Sequence, residues 1–409
     1  MQRRFEGLIM KRTLLYDFHK EHGRVYEYAG FEMPLWYKGS IVEHLAVRNA
    51  VGLFDISHMG RLLVRSAHSL NLLNRLLTND ASILDLMQGQ HAFFCNVSGG
   101  VIDDIMIFRL GEEEFLLVTN AVNKEKDLSW LRKNSQEMNV ELKDLTDNVP
   151  MIAVQGPRAA QTLEQCFGFE LASMPRFHCS WFSAGHNRFL ISRTGYTGED
   201  GFEIYLFEHQ GKEDVLRFWH KILDTGRGFG IEPCGLAARD TLRTEAGYCL
   251  YGNELNEETS PIEAGLDYGV RFDERDFVGK AALLKQINEG PKKTRIGLRL
   301  VSKGIPRKGM PIRSGNKEVG VVTSGTYSPL LKKGIAIGYV HPDFSAPGTE
   351  LTIDIRGKTS TAKVVKFPFY DKRKYGWKRK IAEPTYRISI GNPTKNKEKT
   401  PLGCDRAKN

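Results

Sequence analysis

Cysteine is scarce and scattered, with six in 409 residues, at positions 95, 166, 179, 234, 249 and 404. No two lie closer than thirteen residues, so there is no CxxC pair for zinc or redox chemistry. Cys95 and Cys249 sit in apolar or aromatic runs, where cysteine behaves as a small buried hydrophobe. Nothing asks for disulfides, which fits a reducing compartment. Long apolar runs are also missing: none approaches the roughly 18 residues a membrane span needs. The N-terminus, MQRRFEGLIMKRT, is basic with a four-residue apolar patch, too short for the core of a signal peptide. A cytoplasmic location is therefore expected. HExxH, P-loop and nucleophile-elbow motifs are absent as well. Any chemistry must rest on carboxylate, arginine and aromatic groups, a set better suited to an amine or folate-like substrate than to an ester.

What remains is ordinary for a folded chain: 41% apolar and 26% charged residues. There is enough apolar surface to exclude disorder as the dominant state. The length suggests two to four domains at roughly 100–200 residues each. The net charge of +9 is unevenly placed. Residues 370–409 hold twelve Lys or Arg against four Asp or Glu, so the first 369 residues are nearly neutral. A basic tail can attract phosphate or an acidic partner, but says little about the main pocket.

Along the chain, LLYDFHKEHG reads as a helix ending at Gly23, and YEYAGFEMPLWY as an aromatic loop broken by Pro34. IVEHLAVRNAVG reads as a helix capped by Gly52. Residues 61–149 alternate strands and helices in a ferredoxin-like order, and residues 150–285 repeat the mixture. From Thr294 short strands separated by Gly, Pro, Asn and Ser predict a small barrel or sandwich. Hydrophobic periodicity stops after Asp371.

Four segments could carry chemistry. In NVSGGVIDDIMIF, Gly99-Gly100 predicts a tight hairpin turn. Strict alternation on the outgoing strand would put Asp104 on one face with Ile102, Met106 and Phe108, and Asp103 on the other with Val101, Ile105 and Ile107. A carboxylate among apolar neighbours is costly unless paired, hydrogen-bonded or used. RTGYTGEDGFEIY has three glycines in seven residues without being GxGxxG, and places Glu203 on the following strand. In GLAARDTLRTEAGYCLYGNEL, Arg239 and Arg243 share a helix face suited to clamping a carboxylate; an Asp240–Arg243 pair is the plainer alternative. In FDISHMG, the lone His58 reads as structural.

Taken in order from about Thr13 to Phe369, FDISHMG, NVSGGVIDD, TNAVNKEKDLSW, ISRTGYTGEDGFEIY, GLAARDTLRTEAGYCLYGNEL, SPIEAGLDYGV and GYV resemble the aminomethyltransferase (T-protein) family of the glycine cleavage system. The resemblance implies an α+β three-domain cloverleaf: two ferredoxin-like domains and a C-terminal small β-barrel or jelly-roll around a central folate site. Residues 1–60 and 150–285 would form a split first domain and 61–149 the second. Residues 290–375 would be the β domain and 376–409 a flexible basic tail. The implied reaction moves the methylene carbon of S-aminomethyl-dihydrolipoyl H-protein to tetrahydrofolate, releasing ammonia, with Asp104 as the essential carboxylate. Met59, Val118, Asn120, Tyr196, Glu203 and Arg239 match folate-site positions. His91 and Tyr268 stand where relatives often carry Tyr and Trp, each keeping a planar ring. Arg373 is a candidate for the folate tail or the partner. Tetrahydrofolate would be a co-substrate, with no metal or prosthetic group, and lipoylated H-protein the partner; neither membrane nor nucleic acid is expected. Another folate-dependent one-carbon transferase or demethylase of the superfamily is the alternative.

Overall fold

Strand Met151–Gln155 is apolar on both faces, and the two faces go to different places. Ile152 and Val154 join a core with Leu163, Val215, Phe218 and Trp219, from the helices Ala159–Phe167 and Lys212–Gly226. Met151 and Ala153 turn the other way, into a cluster that also holds Phe108, Leu116 and Val118 of a second sheet. A strand covered on both sides needs a near-continuous apolar run, and MIAVQ supplies one. The computed structural model describes residues 10–379; residues 1–9 and 380–409, with most of the basic tail, lie outside the described residues.

The first sheet has six strands in the order Cys179–Ala184, Asn187–Ser192, Gly201–Glu208, Met151–Gln155, Val51–Asp55 and Ile231–Pro233. The second has five, ordered Gly89–Cys95, Val101–Arg109, Glu114–Thr119, Gly60–Arg65 and Glu141–Asp144. Its far face is covered by the helices Ser69–Leu76 and Lys124–Asn134 through Leu72, Leu73, Leu128 and Leu131. Its near face meets the first sheet. Six further strands between residues 294 and 365 close into a barrel around Ile296, Leu298, Ile312, Val322 and Ile353. The architecture is the expected α+β arrangement of ferredoxin-like sheets plus a small C-terminal barrel.

Local structure departs from the sequence reading in four places. The helix Ser40–Asn49 stops before Gly52, which lies in strand Val51–Asp55. There a Cβ would stand 2.3 Å from Val47 and 2.9 Å from the Cys234 sulfur, so this glycine serves close approach, not capping. The aromatic loop is a hairpin, Arg24–Tyr28 with Phe31–Trp36. Pro34 is tolerated because the neighbouring strand pairs only at Phe31 and Glu32, leaving that edge open beyond them. In the strand Val101–Arg109 the register shifts opposite Phe94 and Cys95. Ile102 therefore joins Ile105 and Ile107 in the helix-covered core and does not share the face of Asp104. Residues 376–379 are pinned where a flexible tail was expected. The Trp377 amide donates to the Gly198 carbonyl at 3.0 Å, and Arg379 reaches Glu199 at 2.7 Å.

Candidate active site

The facing sheets leave a cavity of about 230 Å³ between them. Asp104 and Met106 reach it from the second sheet, Met151 and Glu203 from the first. The loop after helix Leu236–Ala246 closes it with Tyr248, Cys249, Leu250 and Tyr251.

Asp104 owes its position to the Gly99-Gly100 hairpin. Gly99 has φ of +84°, and a Cβ on Gly100 would lie 1.8 Å from the Glu257 carbonyl oxygen, so each glycine is required for a different reason. The Asp104 side chain is 16% exposed. The side-chain amide of Asn120 donates to its Oδ1 at 2.9 Å, and His91 Nε2 lies 3.6 Å from Oδ2. The His91 ring stacks with Tyr268, centroids 5.9 Å apart.

Behind Asn120 lies a second carboxylate. Asp103 is fully buried and accepts from the Asn120 backbone at 3.0 Å, from the Asn120 side chain at 2.9 Å and from Asn123. Asp127 is buried against it, with the Thr119 hydroxyl as its other polar neighbour. Burial raises the pKa of both, with Asp104's charge adding to the rise at Asp103 and Asp103's at Asp127. The donors converge on Asp103, so the shared proton sits on Asp127 and points to Asp103. Asn120 thus joins an inner carboxyl pair to the carboxylate at the cavity wall.

Across the cavity, Glu203 accepts from Thr194 Oγ1 at 2.5 Å, and Thr194 is shared with Ser192 at 2.6 Å. Burial raises the Glu203 pKa. The Arg239 guanidinium lies 4.6 Å from the centre of the Tyr196 ring, with Nη2 4.0 Å from the Met59 sulfur. Tyr196 donates its hydroxyl to the Cys249 carbonyl. His58 is buried in the wall, and burial together with Arg239 pushes its pKa down to about 3, so it is neutral.

Of the candidate residues, Met59, His91, Asp104, Val118, Asn120, Tyr196, Glu203, Arg239 and Tyr268 all line this cavity. Arg373 does not: its side chain is 91% exposed and bonds Asp371. Arg243, offered as half of a clamp, is buried and paired with Asp240 at 2.6 Å and Glu254 at 2.9 Å, the plainer alternative. Tyr28, Arg176, Phe177 and Tyr248 also line the cavity, and no spacing in the sequence marked them. Among the described residues, no group of three or more His, Cys, Asp or Glu side chains could hold a metal ion. No helix among them is long and apolar enough to cross a membrane.

A cavity between paired sheets, walled by opposed carboxylates and an arginine on an aromatic ring, is the kind of site a small-molecule enzyme carries. Its lineage is specific. Residues 15–274 match the GCVT N-terminal domain family and residues 293–371 the glycine cleavage T-protein C-terminal barrel domain. An aminomethyltransferase of Thermoanaerobacter pseudethanolicus is 42% identical over 365 residues, covering 89% of this chain and 98% of that protein. A probable aminomethyltransferase of Pyrococcus horikoshii is 40% identical over 394 residues, covering 90% and 99%. The crystal structure of glycine cleavage system aminomethyltransferase T from Bartonella henselae superposes with a TM-score of 0.82 at 34% identity, covering 90% of this chain and all of that one. The chain belongs to the glycine cleavage T-protein family and is an aminomethyltransferase.

Proposed function

We propose that the cavity binds tetrahydrofolate and that Asp104 serves the nitrogen that attacks the aminomethyl carbon. The carbon arrives as a thioether on the lipoyl arm of H-protein. Two folate nitrogens each lose a proton and bond the methylene. The C–N and C–S bonds break, releasing ammonia and the dihydrolipoyl thiol, so atoms and electrons balance without a metal or prosthetic group. The reading places the enzyme in the cytoplasm.

The observation that carries this is the opposition of Asp104 and Glu203 across one cavity. Glu203 is an acceptor for the adjacent N–H groups of the pterin's amino-pyrimidine edge. Asp104, oriented by Asn120, is left to position the reacting nitrogen and take its proton. His91, Tyr268 and Val118 offer flat or apolar surface to the ring, and Met59 and Tyr196 hold Arg239 in place.

Asp104→Asn keeps the shape and removes the base. With aminomethylated H-protein, kcat should fall about 10²–10⁴-fold, the usual worth of a positioned proton acceptor. Tetrahydrofolate affinity should change little. Unchanged turnover in that variant would remove Asp104 from the reaction.

A further inference from the structure

Among the described residues, Arg176 at the cavity wall forms no ion pair. Arg176 precedes the edge strand Cys179–Ala184 and lines the cavity. Among the described residues no carboxylate pairs with its guanidinium, and its buried Nε has no hydrogen-bond partner. The acid whose charge it feels, Asp200, is already taken: Arg193 grips it at two points, Nε to Oδ1 at 3.0 Å and Nη2 to Oδ2 at 2.7 Å. Arg239, the other arginine of the wall, differs because its charge acts on Glu203.

Arg176 is nonetheless held in position. Its guanidinium lies 4.4 Å from the centre of the Trp377 ring and 5.4 Å from that of Phe177. These rings orient a cation without neutralising it. Both are partly exposed, which puts Arg176 at the open rim of the cavity. Phe177 has φ of +61°, a left-handed conformation rare for an aromatic residue. Its backbone is locked by Gly89 donating to the Phe177 carbonyl at 2.6 Å and by its own amide donating to Arg193 at 3.1 Å. Burial lowers the Arg176 pKa, a desolvation cost that an incoming anion would offset.

We propose that Arg176 is the anion subsite of the cavity and that it receives a glutamate carboxylate at the tail of the folate. This rests on the folate reading above. The pterin lies inward, between Asp104 and Glu203, and the charged tail leaves through the rim. A planar guanidinium already set by two rings is suited to two-point recognition of a carboxylate.

The test compares two ligands, tetrahydrofolate and tetrahydropteroate, which lacks the glutamate. Affinities are measured by calorimetry for the wild-type protein and for Arg176→Gln and Arg176→Lys. The wild type should bind tetrahydrofolate about tenfold more tightly than tetrahydropteroate, as one hydrogen-bonded ion pair would give. Arg176→Gln should lose that advantage and bind tetrahydropteroate as the wild type does. Arg176→Lys, which keeps the charge but not the fork, should fall between. If Arg176→Gln weakens both ligands equally, or neither, the inference is overturned while the folate site stands. If the wild type binds neither ligand, the folate reading fails and this inference with it.

Discussion

Asp103 and Asp104 are neighbours in the chain with different fates. One is fully buried beneath the sheet and the other borders the cavity. Strand alternation separates them, and Asn120, donating to both, keeps them in register. Asp127 completes the arrangement from the helix Lys124–Asn134. A carboxyl whose pKa is raised on folding contributes most at low pH, and that contribution is lost as pH rises above its unfolded value. Urea unfolding at pH 5 and pH 8 checks this. Asp127→Asn stays neutral and can still donate to Asp103, so its stability relative to the wild type should improve between pH 5 and pH 8. A difference that stays flat, or moves the other way, would mean Asp127 is not held protonated. The neighbouring DD of GGVIDD was legible as a candidate acid. Asp127 was not, because its role depends on a contact with Asp103 from 24 positions away in sequence.

At the scale of elements, the cavity wall is held by a buried charge network. Arg48 on helix Ser40–Asn49 is fully buried. It donates to Glu199 at 3.1 Å, to Glu245 at 3.1 Å, and to the carbonyls of Thr197 at 2.8 Å and Leu242 at 3.1 Å. Arg379 pairs with Glu199, and the buried His44 lies 3.0 Å from Glu245. This joins a helix, the GYTGEDG loop that lines the cavity, a second helix and the C-terminal residues 376–379. Arg48→Ala should lower unfolding stability by about 3–5 kcal/mol, because removing one member of a buried ion pair strands the others. Chemical denaturation measures this, and a change below about 1 kcal/mol would show the network to be dispensable. Most helices and strands were readable from apolar period and glycine, but the hairpin Arg24–Tyr28 with Phe31–Trp36 was not. The register shift at Phe94–Cys95 was not, since nothing in VIDDIMIF says which residue lacks a partner. Pro34 misled for a related reason: it breaks a strand only where its missing N–H is needed.

At the scale of the molecule, two sheets turn their polar-bearing faces toward each other and leave room between them. Glu203 and Asp104 lie about one hundred residues apart in sequence and meet only because strands from both halves of the chain pack through Met151, Ala153, Phe108 and Val118. Local pattern cannot show that meeting. Asp104, Glu203 and Arg239 stood out from their own residues, but the nine came together as one cavity wall only through resemblance to a family with a shared site, and Arg176 lies in none of those motifs. A structure of the protein with tetrahydrofolate bound tests the account most directly. The pterin should lie between the two sheets with its amino-pyrimidine edge on the Glu203 carboxylate and its reactive nitrogens beside Asp104. A folate seated outside this cavity, or inside it with Asp104 facing away from those nitrogens, would contradict it.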